Sequence, residues 1–247
     1  MDQSTFIRFD DALPLDAAPR IDLYGLVHKG LRAFMFDTLA RMGRCDANDP
    51  QDLADTLSAT RQLLAVLHGH LHHENDFVHA ALEARRPGAS RPTAEDHEGH
   101  EQAIAALEAA VDELGSIDAA RRPRAAYRLY LRLARFVAEN LEHMEVEETH
   151  LTALLRDAFD DTELAAIHER LVASIPPEEL ATVHRWIFVG ITHDERVGML
   201  SAMREHAPAP VFEGSVARCR DLLAPRDWAK LARALDLPAV AGLVEIW

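Results

Sequence analysis

The stretch His68–His79 reads HGHLHHENDFVH. It packs five histidines, one glutamate and one aspartate into twelve residues. Its meaning depends on which of these side chains share a helix face. On a helix, residues three and four apart lie on one side. Leu63, Leu67, His70, Glu74, Phe77 and Ala81 recur at that spacing. His70 and Glu74 therefore take places where a core wants leucine. His68, His72, Asn75 and His79 fall on another stripe, and His73 follows neither. One histidine and one glutamate are expected to point inward. Most of the rest are expected to face solvent or a neighbouring helix.

The pattern repeats further along. Leu129, Leu133, Phe136, Asn140, His143, Glu147, His150 and Leu154 recur at alternating steps of four and three, the seam of a bundle helix. His143 and Glu147 stand one turn apart on it, so both reach one point. A third stripe holds His97, His100, Ile104, Leu107, Val111 and Leu114, and a fourth holds Tyr24, His28, Leu31, Met35 and Met42. His28 to His70 spans 42 residues and His100 to His143 spans 43. The chain thus resembles two similar helical hairpins. Each gives one histidine, then a His-x-x-x-Glu pair on the returning helix. Equal hairpin spacing favours His100 over His97 as the main contributor from the third helix.

These stripes define four helices: about 21–42, 51–84, 93–114 and 122–159. Gly43 and Gly115 fit stops, Asn48-Asp49-Pro50 fits a start, and RRPGASRP fits a loop. Short connections force antiparallel neighbours. The expected fold is all-α, an antiparallel up-down-up-down four-helix bundle over 21–160. A lead-in over 1–20, with Pro14 and Pro19, precedes it. A C-terminal helical extension over 161–247, packed on the bundle, follows, split at SIPPEEL, THDER, HAPAP and LAPRDW. Thr192 and Glu195 fit a capping box within it. The histidines there, His168, His184, His193 and His206, read as structural or exposed.

Composition narrows the function classes. Of 247 residues, 48% are apolar, enough for a sizeable core, and the net charge is −15. An acidic surface repels phosphates and anionic lipid, which argues against nucleic acid and membrane partners. Cys45 and Cys219 are far apart and form no CxxC pair, so no disulfide framework or thiolate zinc site is expected. The start MDQSTFIRFDDALPLD lacks a basic segment followed by an apolar run and does not read as a signal peptide. No apolar stretch is long enough to span a bilayer. A soluble cytoplasmic protein is expected.

His-x-x-x-Glu alone says little. It occurs at His70/Glu74, His79/Glu83, His97/Glu101 and His143/Glu147, and only the first and last put both members on a seam. A single inward histidine is usually a hydrogen-bonded core residue. Four helices that each place a histidine inward, with two inward glutamates, are different. Unpaired charges in a core cost several kcal/mol each, and bound cations offset that. The candidate metal ligands are His28, His70, Glu74, His100, His143 and Glu147, with His97 as an extra ligand or a supporting group. Imidazole with carboxylate and no thiolate suits iron, manganese or zinc. Six ligands are too many for one tetrahedral zinc and suit two ions with bridging carboxylates. His150 reads as a cap on the cavity and Tyr24 as a packed core tyrosine.

The segments LVHKGLR, HLHHENDFVHAAL, HEGHEQAIAAL and HMEVEETHLTALL together resemble the hemerythrin-like HHE cation-binding domain family over about 20–160. The resemblance implies a non-haem di-iron centre held by the six residues named, with manganese or zinc able to substitute. It also implies a small partner such as dioxygen, nitric oxide or peroxide. Animal oxygen carriers of this kind have two histidines on the third helix; His97 and His100 stand three apart here. Members that repair iron–sulfur centres usually carry an N-terminal cysteine segment, whereas the first cysteine here is Cys45. The leading expectation is ligand binding for sensing, storage or detoxification rather than catalysis, with no catalytic residue assigned. A ferritin-like di-iron oxidase or peroxidase is the alternative. That class uses Glu-x-x-His on two helices. Glu147-x-x-His150 fits once, and the second helix has only Asp76-x-x-His79. A metal-free interaction protein with a buried polar network is the third reading.

Overall fold

The computed structural model describes residues 20–238. Among these, every regular element is helical and there is no strand. The first helix, α1, is Gly25–Arg44. The second long helix is α2 (Pro50–His73), a π-helical segment (Glu74–His79) and α3 (Ala80–Arg85). Then come α4 (Arg91–Ser116) and α5 (Arg122–Val146). A second π segment (Glu147–Leu151) and α6 (Thr152–Ala158) continue α5. Shorter helices follow: α7 (Asp161–Ser174), α8 (Pro177–Gly190), α9 (His193–His206), α10 (Ala209–Leu222) and α11 (Pro225–Ala234). Among the described residues no helix is long and apolar enough to cross a membrane. The expected lead-in over 1–20 lies outside the described residues apart from Arg20.

Local chemistry sets the boundaries. The Asp49 side chain accepts from the backbone N–H of Gln51 and Asp52, and Pro50 takes the first helical position of α2. Asp160 and Glu163 form a capping box at α7, and Thr192 and Glu195 form the expected one at α9. Gly43 and Gly115 do not act as stops. Both lie inside their helices, which end at Cys45 and Ile117 in extended backbone. Neither needs a positive φ, so each simply continues the helix.

The chain divides into two compact units. Among the described residues the first holds 20–25 and 34–179, and the second holds 26–33 and 180–238. In the first unit α4 packs against both α2 and α5. Leu63, Leu67, Ile104, Leu107, Val111, Leu129 and Leu133 are buried. A second cluster in this unit joins Tyr24, Val78, Leu82, Leu151, Leu155, Phe159, Leu164 and Ile167. Arg20 closes that end by donating to the carbonyls of Arg156 and Phe159 and to Asp161. The helix α7, which the sequence assigns to the extension, groups with this first unit.

The second unit has its own core of Phe188, Leu200, Cys219, Trp228, Leu231, Ala232 and Leu235. Within it the first turns of α1 meet α8 at two glycines. A Cβ on Gly190 would stand 2.4 Å from the Lys29 carbonyl oxygen, and one on Gly30 would stand 2.8 Å from the Ile187 nitrogen. Only glycine allows the two backbones to come this close.

Candidate metal centre

The histidine-bearing stripes form as the sequence predicts up to the two glutamates. Leu63, Leu67 and Glu74 are buried on α2 and its continuation, and His70 is nearly so. Leu129, Leu133, Phe136, Asn140, His143 and Glu147 are buried on α5 and its continuation. Beyond each glutamate the stripe moves by one residue. Val78 and Leu82 are buried where Phe77 and Ala81 were expected, and Leu151 and Leu155 where His150 and Leu154 were expected. The cause is the same in both places. A π segment begins at each glutamate and adds about one residue to the turn. His150 is thereby turned to solvent and does not cap the cavity. His79, assigned from its spacing to a separate stripe facing solvent or a neighbouring helix, is buried at 3% exposure.

Glu74, His97, His143 and Glu147 each offer a ligand atom, and these atoms all lie within 4.8 Å of one another. All four residues are buried. His97 Nε2 lies 3.5 Å from Glu74 Oε2 and 3.5 Å from Glu147 Oε1. His143 Nε2 lies 3.2 Å from Glu147 Oε1 and 3.0 Å from His97 Nε2. His70 Nε2 lies 3.2 Å from Glu74 Oε1. Each His-x-x-x-Glu pair thus closes on itself across one helical turn, and His97 bridges the two carboxylates.

The third helix therefore brings His97, not His100, into this group. His100 is buried one turn on, with its ring 4.9 Å from that of His143, and its Nδ1 has no hydrogen-bond partner. His28 is fully buried on α1. It follows Tyr24 by one turn on an unbroken helix, and Met35 of the same stripe is also buried.

Asn75 orders two of the imidazoles. Its Oδ1 accepts from His97 Nδ1 (2.8 Å) and from His79 Nδ1 (3.1 Å). The two rings stack at 4.9 Å. An amide oxygen only accepts, so both Nδ1 atoms carry hydrogen, and in the neutral rings the Nε2 atoms carry the lone pairs. The proton between His97 and His143 then belongs to His143, whose Nδ1 faces Asp96 Oδ2 at 3.5 Å. Burial alone would lower the His143 pKa. The hydrogen bond to Glu147, then the charges of Glu147 and Glu74 and the Asp96 contact, raise it overall. Burial pushes His79 and His100 down to about 4, helped in each case by neighbouring imidazoles. Tyr24 is held far above its usual value by burial and by the charges of Glu147, Glu74 and Asp22.

Two buried carboxylates thus share one region with several neutral imidazoles and one readily protonated one. A proton on His143 offsets one negative charge. A divalent cation offsets both, and the nitrogen and oxygen donors fit it. The hemerythrin family model, described as the hemerythrin HHE cation-binding domain, matches residues 21–174.

The chain belongs to the hemerythrin HHE cation-binding family.

No curated protein and no solved structure matches it significantly. The match ends inside the first unit, which also holds the whole Glu74–His97–His143–Glu147 group. The family is a cation-binding one, and this His/Glu cluster could hold a metal ion. The sequence marked Glu74, His143 and Glu147 for it and carried His97 as an extra. It missed the burial of His79, whose face is set by the π segment.

Proposed function

We propose that this chain is a non-haem di-iron protein that binds a small ligand such as dioxygen or nitric oxide, for sensing, storage or detoxification. In this reading the hemerythrin-type segment is an antiparallel four-helix bundle, and residues 180 onward are its C-terminal extension. Glu74, His97, His143 and Glu147 would hold the metal, with His70 beside Glu74. The observation that carries the reading is the meeting of two buried carboxylates at one imidazole, His97. One carboxylate from each half of the domain suits a pair of cations better than one tetrahedral ion. Iron of this kind supplies reversible redox change and open coordination positions for a diatomic ligand. The chain's own part is to hold the donors in place, keep the imidazoles neutral and exclude bulk water. Leu63, Leu67, Leu129 and Leu133 form the dry wall on the α2 and α5 sides. A shell of histidines with two carboxylates carries less negative charge than the four-glutamate shell of ferritin-like oxidases, which favours ligand binding over oxidation.

The test is anaerobic loading with ferrous iron, metal quantification, then admission of oxygen or nitric oxide. Two irons per chain and a reversible near-ultraviolet or visible charge-transfer band are expected. No bound iron contradicts the reading. Steady turnover of oxygen or peroxide would make the protein an oxidase or peroxidase instead.

A further inference from the structure

We propose that His79 is an additional metal ligand, delivered by the π segment and aimed by Asn75. The inference rests on the metal-centre reading above. His79 Nε2 stands 3.9 Å from Glu147 Oε1, the same oxygen that faces His97 at 3.5 Å and His143 at 3.2 Å. Donors held to one ion by bonds of about 2.0–2.2 Å must lie roughly 3–4 Å apart, and His79 Nε2 meets that towards Glu147 Oε1, standing just outside the group Glu74, His97, His143 and Glu147 whose donor atoms all lie within 4.8 Å of one another. An ion held on Glu147 would thus take a further imidazole, supplied by the second long helix.

Two features aim the ring. In an unbroken α-helix, residue 79 would lie about five residues and some 500° past Glu74, well off its face. The π segment Glu74–His79 closes turns of i to i+5, which sets residue 79 above residue 74. Asn75 then holds the Nδ1 hydrogens of both His79 and His97, leaving both Nε2 lone pairs for a cation. His79 Nε2 has one other polar neighbour, Thr93 Oγ1 at 3.4 Å. The Thr93 hydroxyl hydrogen is already donated to the Ser90 carbonyl at 2.9 Å, so it does not compete for that lone pair.

The alternative is a structural histidine held by Asn75 that takes no metal. The two differ in cobalt-loaded protein. Each coordinated imidazole there gives one paramagnetically shifted, solvent-exchangeable Nδ1–H proton resonance. The experiment compares wild type, His79→Gln, Asn75→Leu and Asn75→Asp, each loaded with cobalt(II). Ferrous-iron affinity is measured in parallel by chelator competition, and apo folding by circular dichroism. The expected result is one fewer shifted resonance in His79→Gln and affinity lowered at least tenfold. Asn75→Leu should lose about 10–100-fold in affinity, and Asn75→Asp, which keeps an acceptor, should retain most of it. Wild type that binds metal while His79→Gln keeps every shifted resonance overturns the role of His79 and leaves the metal centre standing. Wild type that binds neither cobalt nor iron overturns both. If His79→Gln fails to fold, the wild-type resonance count decides with histidine-selective nitrogen-15 labelling. Assignment of a shifted resonance to His79 supports the proposal, and an unshifted His79 signal overturns it.

Discussion

At the residue scale, the site is an arrangement of costs that a cation removes. Glu74 and Glu147 sit at no more than 3% exposure with imidazoles around them. An ion that binds only the folded chain stabilises it by mass action, about 2.7 kcal/mol at a hundredfold excess over its dissociation constant. For a chain of this size that raises Tm by roughly 5–10 °C. Replacing Glu147 with Gln should leave apo stability within about 1–2 kcal/mol, since one buried charge and one ion pair vanish together. The iron-induced rise in Tm should be lost; a variant that keeps it would remove Glu147 from the ligand set. His184 gives a separate test. Burial, then the charge of Arg218, pushes it down to about 4. Its folded pKa lies below the unfolded value near 6.5, so the unfolded chain takes up more protons in between. The stability from keeping His184 neutral is therefore full above about pH 6.5 and lost as pH falls towards 4. Because the ring is half-buried, the loss should be of the order of 1–3 kcal/mol. Apo His184→Gln, followed by urea melts between pH 7 and 4, should lack that slope. Equal slopes in the two proteins would assign it to other groups. The inward positions of His70, Glu74, His143 and Glu147 were legible because helical spacing alone fixes them. His79 was not, because its face depends on a backbone irregularity rather than on residue type.

At the scale of elements, that irregularity is the main lesson. Both long helices carrying a His-x-x-x-Glu pair change from α to π at the glutamate itself. The four long helices were legible from period and from Pro and Asn/Asp starts, and observed limits fall close to expected ones. Gly43 and Gly115 misled as stops, since glycine costs only about 1 kcal/mol inside a helix and packing overrides it. Glycine matters where backbones touch. Gly190→Ala would gain helix propensity of about 1 kcal/mol, yet its methyl would meet the Lys29 carbonyl at 2.4 Å. A backbone atom moves only with its helix, so the clash wins. We expect a net loss of about 1–3 kcal/mol, read as a lower urea midpoint with unchanged m. An unchanged or higher midpoint would show that the two backbones part at little cost.

At the scale of the whole molecule, the Glu74–His97–His143–Glu147 group belongs to one compact unit and the core of Phe188, Leu200 and Trp228 to another. Splits at SIPPEEL, THDER, HAPAP and LAPRDW were legible from proline and capping chemistry. The grouping of α7 with the first unit was not, because it depends on which apolar face Leu164 and Ile167 find. Hydrogen exchange should register the division. Iron should slow exchange along α2, α4 and α5 and leave α9, α10 and α11 within error; uniform slowing would indicate a single cooperative block. The most direct measurement for the central claim is a crystal structure of the iron-loaded protein with anomalous scattering at the iron edge. Two peaks are predicted, both contacting Glu74 and Glu147, one of them also bonded to His97 and His143. A map with no peak among those four side chains, in crystals shown to contain iron, would contradict the account.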